Sequence, residues 1–246
     1  QTNMDVIANN LAKVSTTGFK KSRAEFEDLL YQTQKEPGAA SGLNAISPTG
    51  VQTGLGVRTA GVQKDFEGGA AQQTKNALDM MVEGPGFFPI QLPDGQIGYT
   101  RDGSFKKDPS GRIVDKNGNP LQPEIVIPPN SSAIDISPSG QVAVIVGNGR
   151  DPQNIGQIEL VNFVNPAGLK ALGKNVFVPS AASGLPQQGQ PGLNGLGQIA
   201  SQSLEGSNVN IVDEMVNMIT AQRAYETNSK VIQASDQMLQ NMNQLR

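Results

Sequence analysis

The feature that most constrains this chain is its C-terminal run from Asn208 to Arg246, which contains neither glycine nor proline. Apolar residues recur along it at intervals of seven, and a second row beside them widens the stripe, as expected for one long helix with several neighbours. At about 1.5 Å per residue such a helix would span about 55 Å, more than a small domain can cover. We therefore predict that this stripe packs against other subunits through Ile211, Met215, Met218, Tyr225, Val231, Ile232, Met238 and Leu239.

A second helical pattern lies at the other end of the chain. Met4, Ile7, Leu11 and Val14 recur at intervals of three and four, and the segment from Ser15 to Gly18 then breaks the pattern. We predict that this helix meets the C-terminal one and shares in subunit packing. Because the pattern is already under way at the first residue, we also expect an upstream part of the helix to be absent from the sequence.

The segment between the N-terminal helix and the middle of the chain gives weaker signals. Apolar residues among charged ones predict a short helix over Phe19–Tyr31, and Pro37-Gly38 ends it. From Gly38 to Val57 the chain is rich in Gly, Ser, Pro and Thr, which is typical of a connector. Two interpretations stay open: a flexible linker, or a segment that docks on a neighbouring surface through its scattered apolar residues Leu43, Ile46, Val51 and Leu55.

The middle of the chain, from Val57 to about Val178, is predicted to be β-rich. Short apolar runs alternate there with the turn signals Asp94-Gly95, Asp102-Gly103, Asn117-Gly118 and Ser139-Gly140. A second Gly-, Pro- and Gln-rich segment then leads back to the C-terminal helix.

Composition excludes several functions. A net charge of -3 and the absence of a basic run argue against nucleic-acid binding. The chain has no Cys and no His, which excludes disulfides, thiolate chemistry, histidine-dependent catalysis and His-ligated zinc. No stretch reaches the roughly 18 to 20 apolar residues of a membrane span, and no signal-peptide pattern is visible.

The few candidates for chemistry have simpler explanations. The segment Asp115–Asn119 alternates oxygen-bearing side chains as a calcium loop does, but Pro120 and Val126 stand where such a loop needs Gly and Glu. The carboxylates Asp94, Asp102 and Asp108 lie in turn sequences, so we favour turns over a pair of catalytic carboxylates. We predict no catalytic residue, no cofactor and no metal, and we expect a protein that assembles with copies of itself.

Motifs at both ends and in the middle of the chain resemble those of the bacterial flagellar rod and hook proteins. They are the stretches 8–12 and 14–20, the stretches 207–214, 222–226, 228–230 and 236–239, and the stretches 86–88 and 99–105. The motif positions singled out are Asn10, Gly18, Phe19, Gln222, Arg223, Asn228, Ser229 and Lys230. Within this axial protein family, the overall length, the run Glu27–Gln32 and the segment 38–57 are most similar to the distal-rod members.

The resemblance implies a structural subunit and not an enzyme. Distal-rod members would self-assemble into a rigid hollow helical shaft that transmits torque from motor to hook and encloses the export channel. A hook or proximal-rod subunit is the alternative, while a phage-tail or adhesive fibre subunit would lack the terminal motifs. The segment holding Leu43, Ile46, Val51 and Leu55 would then stiffen the rod by locking neighbouring subunits.

The resemblance also implies partners and a location. We expect a homo-oligomer in a helical tube, with proximal rod and hook proteins at its ends, ring proteins around the outside, and neither nucleic acid nor membrane insertion. The subunit would lie in the basal body, between the periplasmic space and the outer membrane. It would arrive through the flagellar type III export apparatus, without a cleaved signal peptide.

The predicted fold class is α+β, with terminal helices that form an axial coiled-coil domain, extended connectors and a central β-rich domain. The boundaries are an N-terminal helical part over residues 1–33, a connector with a distal-rod-type insertion over 34–70, a β-rich outer domain over 71–184, a return connector over 185–206 and the C-terminal helix over 207–246.

Overall fold

The structure is a computed structural model that describes residues 1–38, 40–42, 45–46, 49–147 and 151–244. Helix α1 (Thr2–Ala12) and helix α2 (Ile211–Gln244) lie at its two ends. Asn210 caps the N-terminus of α2, because its side-chain oxygen accepts a hydrogen bond from the Val212 amide at 3.0 Å. Asp213 and Glu214 place negative charge in the first turn, which suits the positive end of the helix dipole. The predicted long C-terminal helix is confirmed.

The described residues between 22 and 64 form one long antiparallel hairpin, which we call the arm. Its strands pair in nested order, β1 with β6, β2 with β5 and β3 with β4, from Ser22 opposite Lys64 to Gly42 opposite Ala45. The strands are β1 (Ser22–Asp28), β2 (Tyr31–Lys35), β3 (Ala40–Gly42), β4 (Ala45–Ile46), β5 (Val51–Gly54) and β6 (Val57–Lys64). The predicted helix over Phe19–Tyr31 is therefore wrong, since distant pairing with residues 57–64 outweighs a local apolar spacing.

The described residues between 71 and 205 form a β domain. It contains a four-stranded sheet in the order β17-β18-β10-β9, a three-stranded sheet β13-β14-β15, and the pairs β11-β12, β16-β19, β20-β8 and β21-β7. The strands are β7 (Ala71–Gln73), β8 (Met80–Glu83), β9 (Phe88–Gln91), β10 (Ile97–Thr100), β11 (Lys106–Lys107), β12 (Ile113–Val114), β13 (Ser131–Ile136), β14 (Gln141–Val146), β15 (Gln153–Gln157), β16 (Leu160–Asn162), β17 (Lys170–Gly173), β18 (Val176–Val178), β19 (Gln187–Gly189), β20 (Gln198–Ser201) and β21 (Ser203–Glu205), with a 3₁₀ turn at Pro166–Gly168.

Two apolar clusters lie on opposite faces of the central strands. Side chains of a strand alternate between faces, so Phe88 and Ile90 enter the larger cluster with Val142, while the preceding Phe87 enters the smaller one with Phe177. In the smaller cluster the aromatic rings meet edge to face, with centroids 4.9 to 6.2 Å apart. Both faces of this part of the domain are buried.

The predicted fold class is wrong. The described residues contain one short helix and one long helix, so α2 has no second long helix with which to form an axial coiled coil. The predicted connectors also belong to the β structure. Residues in the range 34–70 supply strands of the arm, and those in 185–206 supply β19, β20 and β21, which pair with β16, β8 and β7. The protein is mainly β, and its β structure is not confined to the predicted central domain.

Neither α1 nor α2, the helices of the described segments, combines the length and the apolar character needed to cross a bilayer.

Candidate assembly site at the junction of the chain ends

Both ends of the chain meet the β domain at a buried cluster of charged side chains, which we call the charge cluster. It consists of Lys20, Arg101 and Glu205, which are 1, 3 and 0% exposed. The Lys20 ammonium lies 2.7 Å from Oε1 of Glu205, and Nε of Arg101 lies 3.0 Å from Oε2. Lys20 follows α1, Arg101 follows β10, and Glu205 ends β21, so the cluster joins three distant segments.

The charge cluster also forms hydrogen bonds with backbone groups. Nζ of Lys20 also donates to the carbonyl of Glu67 at 2.6 Å, and the Gly69 amide donates to Oε1 of Glu205 at 3.0 Å. Nη1 of Arg101 donates to the carbonyls of Gly84 and Gly86, both at 2.7 Å. A buried charge is tolerated only when it is paired and hydrogen-bonded in this way.

Burial and neighbouring charges shift the pKa values of the cluster. Burial alone would raise the pKa of Glu205, but Arg101 and Lys20 hold it below its ordinary value. Burial lowers the pKa of Lys20; Glu205 opposes this change and Arg101 adds to it. At neutral pH Glu205 is therefore a carboxylate that offsets two buried cations.

Two asparagines fasten the chain ends to the base of the arm. The buried Asn10 of α1 donates to the Ser22 carbonyl at 2.8 Å and accepts from the Ser22 amide at 2.9 Å. Asn208, just before α2, accepts from the Lys21 amide at 2.8 Å and donates to the Asp65 carbonyl at 3.0 Å. Asn10 thus binds both backbone groups of Ser22, and Asn208 bridges the backbones of Lys21 and Asp65, the residues that flank the arm.

Gly18 and Phe19 bring the chain from α1 into the charge cluster. Gly18 has a φ of +66°, its amide donates to the Glu205 carbonyl at 2.7 Å, and a Cβ there would lie 2.7 Å from the Asp102 nitrogen. Only glycine fits both constraints. The ammonium groups of Lys13 and Lys64 each lie over the ring of Phe19, with their nitrogens 5.3 and 5.1 Å from its centroid. Burial, with a smaller contribution from Lys13, lowers the pKa of Lys64.

Helix α1 lies against the first half of α2. The two helices and β1 line a groove of about 480 Å³, with Ile7 and Asn10 on one wall and Glu214 and Ala221 on another. Ile7 is buried there. Beyond this groove α2 extends with its apolar side chains exposed.

The hydrogen bonds and ion pairs of the junction hold separate segments of the chain together. Among the described residues no group of three or more Asp and Glu side chains is placed to hold a metal ion. The Asp115 carboxylate of the rejected calcium loop accepts the amides of Asn117 and Asn119 at 2.7 and 2.9 Å, as in an ordinary turn.

Two family models match parts of this chain. The family described as flagellar hook protein FlgE/F/G D1 domain matches residues 81–144, and the flagellar basal body rod FlgEFG protein C-terminal family matches residues 200–245. The flagellar basal-body rod protein FlgG of Buchnera aphidicola from Schizaphis graminum is 51% identical over 100% of this chain and 94% of its own length. The FlgG proteins of the Acyrthosiphon pisum Buchnera and of Borreliella burgdorferi are 50% and 48% identical over the same shares.

The chain belongs to the FlgG family of flagellar basal-body rod proteins. This confirms the resemblance inferred from its motifs, and it confirms a structural rod subunit of the distal type over a hook or proximal-rod subunit. As a rod protein the chain is not an enzyme. It is a component of the flagellar basal body and assembles with other flagellar components into the rod.

The structure separates the predicted subunit-packing residues of this rod protein into two groups. In the N-terminal part Ile7 is buried within the chain, and Met4, Leu11 and Val14 are half-buried. In α2, Met218 is half-buried, and the others are between 47 and 63% exposed: Ile211, Met215, Tyr225, Val231, Ile232, Met238 and Leu239. Their role in packing against other subunits stays a prediction.

The family motif positions and the connector residues also lie in different surroundings. Asn10, Gly18 and Phe19 come together at the junction. The α2 positions Gln222, Arg223, Asn228 and Lys230 are exposed, and Ser229 is half-buried. Of the connector residues, Val51 and Leu55 are exposed on the arm, only the backbone of Ile46 is described, and Leu43 lies outside the described residues.

The charge cluster itself was not predicted from the sequence. Lys20 and Arg101 lie within the motif stretches 14–20 and 99–105, and Glu205 lies outside the motifs. The three lie 81 to 185 residues apart, and a charged residue taken by itself gives no sign of burial in a sequence. A glycine lies within two residues of each of them: Gly18, Gly103 and Gly206. Glycine allows two backbones to approach closely, and this is the one feature of the sequence that could have pointed to the cluster.

Proposed function

We propose that copies of this rod protein assemble into a helical tube through the exposed apolar face of α2. The observation that carries the proposal is that seven predicted packing residues of this helix are about half exposed or more, including Tyr225 and Ile232 at 62 and 63%. Contiguous exposed apolar surface marks an interaction site in a soluble protein. Burying it contributes roughly 25 cal/mol per Å².

The arm supplies a second contact in this proposal. A two-stranded hairpin is marginally stable alone in water, yet the arm carries Leu30, Tyr31 and Leu55 at 86, 57 and 60% exposure. From Pro37 to Gly56 it has no charged residue. Both features suit a ribbon covered by neighbouring subunits, where it would resist bending.

The assembled tube is a rigid hollow drive shaft that transmits torque from motor to hook and encloses the export channel. Its ends meet the proximal rod and hook proteins, and ring proteins surround its outer surface between the periplasmic space and the outer membrane. Subunits reach the growing end through the flagellar type III export apparatus.

Electron microscopy of basal bodies from cells that lack this chain tests the assignment. We expect basal bodies that stop at the proximal rod and carry no hook, because the hook has no shaft on which to grow. Plasmid-borne wild-type chain should restore both structures. An intact rod and hook without the chain would refute the proposal.

Shortening the arm tests its role in stiffness. Tyr31 lies opposite Gly54, so replacing residues 32–53 by Asn-Gly leaves the remaining strands joined by a two-residue turn. We expect rods that form but curve visibly in electron micrographs of purified hook-basal bodies. Rods as straight as wild-type ones would show that the removed residues do not stiffen the shaft.

A further inference from the structure

We propose that the charge cluster of Lys20, Arg101 and Glu205 is a lock that fixes the direction of α1 and the arm relative to the β domain. Lys20 belongs to the segment that leads from α1 into the arm, Arg101 belongs to the β domain, and Glu205 belongs to the strand that leads to α2. The single carboxylate of Glu205 therefore ties both ends of the chain to one point of the β domain.

The two apolar clusters of the β domain include little of the junction. The larger apolar cluster consists of residues of the β domain alone, and Phe66 is the residue just beyond the arm that packs against the smaller one. A groove of about 490 Å³ lies between the base of the arm, at Arg23 and Gln63, and the turn at Asn165–Ala167. On this side the arm stands away from the domain.

Charge-assisted hydrogen bonds can fix an angle, because they are directional and apolar contacts are not. Glu205 accepts from Lys20, from two nitrogens of Arg101 and from the Gly69 amide, at 2.7 to 3.2 Å. Its carbonyl accepts from Gly18. These donors approach from the segment after α1, the β domain and the loop that follows the arm, so a change of angle would break several bonds together.

Hydrogen exchange of the full chain tests the lock with two neighbouring lysines. Lys20→Met removes one cation and leaves Arg101 paired with Glu205. Lys21→Met is the matched control, because Lys21 forms only a half-exposed ion pair with Asp65 at 3.5 Å. We expect the Gly18 and Gly69 amides to exchange at least about 100-fold faster in Lys20→Met, and less than about fivefold faster in Lys21→Met. The β14 amides of Val142 and Val144 should keep their protection in both.

Two results would overturn the lock. Unchanged exchange at Gly18 and Gly69 in Lys20→Met would show that the ion pair does not hold the junction. Equal loss of protection at Val142 and Val144 would show that the cluster is part of one cooperative core and not a separate fastening. If Lys20→Met does not fold, Lys20→Gln, which keeps a donor for the Glu67 carbonyl, allows the same comparison.

Spin labels measure the angle directly, since the chain has no cysteine of its own. Labels at the exposed positions Asp5→Cys in α1 and Lys107→Cys in the β domain should give one narrow distance distribution in the otherwise wild-type chain and with Lys21→Met. With Lys20→Met we expect the distribution to broaden. A distribution that stays narrow would refute the lock. Because these measurements use the free subunit, their outcome leaves the proposed role in the rod to be judged by its own experiments.

Discussion

Replacing Glu205 by glutamine is expected to lower the free energy of unfolding by about 3 to 5 kcal/mol at pH 7. The substitution keeps the shape of the side chain but leaves Lys20 and Arg101 as buried cations without an anion. Loss of Lys20 leaves Arg101 paired with Glu205, but Glu205→Gln leaves the Arg101 guanidinium without a carboxylate partner inside the β domain, with only the carbonyls of Gly84 and Gly86 to accept from its Nη1. Urea denaturation followed by circular dichroism measures the loss.

Glu25→Gln is the matched control for this prediction. Glu25 also forms an ion pair, with Arg23 at 3.0 Å, but the two side chains are 43 and 74% exposed. An exposed pair contributes at most about 1 kcal/mol, so this variant should unfold almost like the wild type. Equal losses in the two variants would mean that burial of the charge cluster has no special cost.

The free energy of unfolding of the wild type relative to Glu205→Gln should depend on pH. The pKa of Glu205 is lowered in the folded state from its ordinary value of 4.5. Its ionisation therefore stabilises the fold above about pH 4.5, and this contribution is lost as the pH falls through the lowered value. The stability difference between wild type and Glu205→Gln should be largest at neutral pH and shrink in acid. A difference that does not vary with pH would contradict the ionised state of Glu205.

The helices were predictable because their apolar periodicity is local. The stripe of α2 and the pattern around Ile7 each identify a helix without reference to the rest of the chain. The same stripe did not identify a coiled coil, because a seven-residue repeat shows that a helix has an apolar face and not what covers it. Turns behaved similarly: Gly95, Gly118 and Gly140 take the left-handed conformation that their turn sequences require.

The arm and the charge cluster were not predictable, because both depend on distant partners. Phe19, Phe26 and Leu30 have a spacing that allows a helix, and the pairing of Phe26 with Thr59 makes it a strand instead. In the same way, Asp102-Gly103 is not an ordinary hairpin turn. A Cβ at Gly103 would lie 1.5 Å from the Met80 carbonyl oxygen, so this glycine serves a close passage of two backbones.

Replacing Ile232 by aspartate is expected to abolish rod assembly while the free subunit stays folded. Ile232 is 63% exposed in the subunit, so the change should alter the free energy of unfolding by less than about 0.5 kcal/mol. In a packed seam between copies the aspartate would be buried without a partner, at a cost of several kcal/mol, which weakens each contact more than about 100-fold. Electron microscopy of basal bodies should then show no distal shaft and no hook.

Gln233→Asp separates the seam from any general effect of charge on α2. Gln233 is the next residue along the helix and is exposed, so the variant introduces the same charge with a similar effect on helix propensity, but away from the row that contains Ile232. Rods should form normally in this variant. Normal rods from Ile232→Asp would show that Ile232 lies outside the seam. Failure of both variants would show that α2 tolerates no added negative charge at this level, and the apolar face would no longer explain assembly.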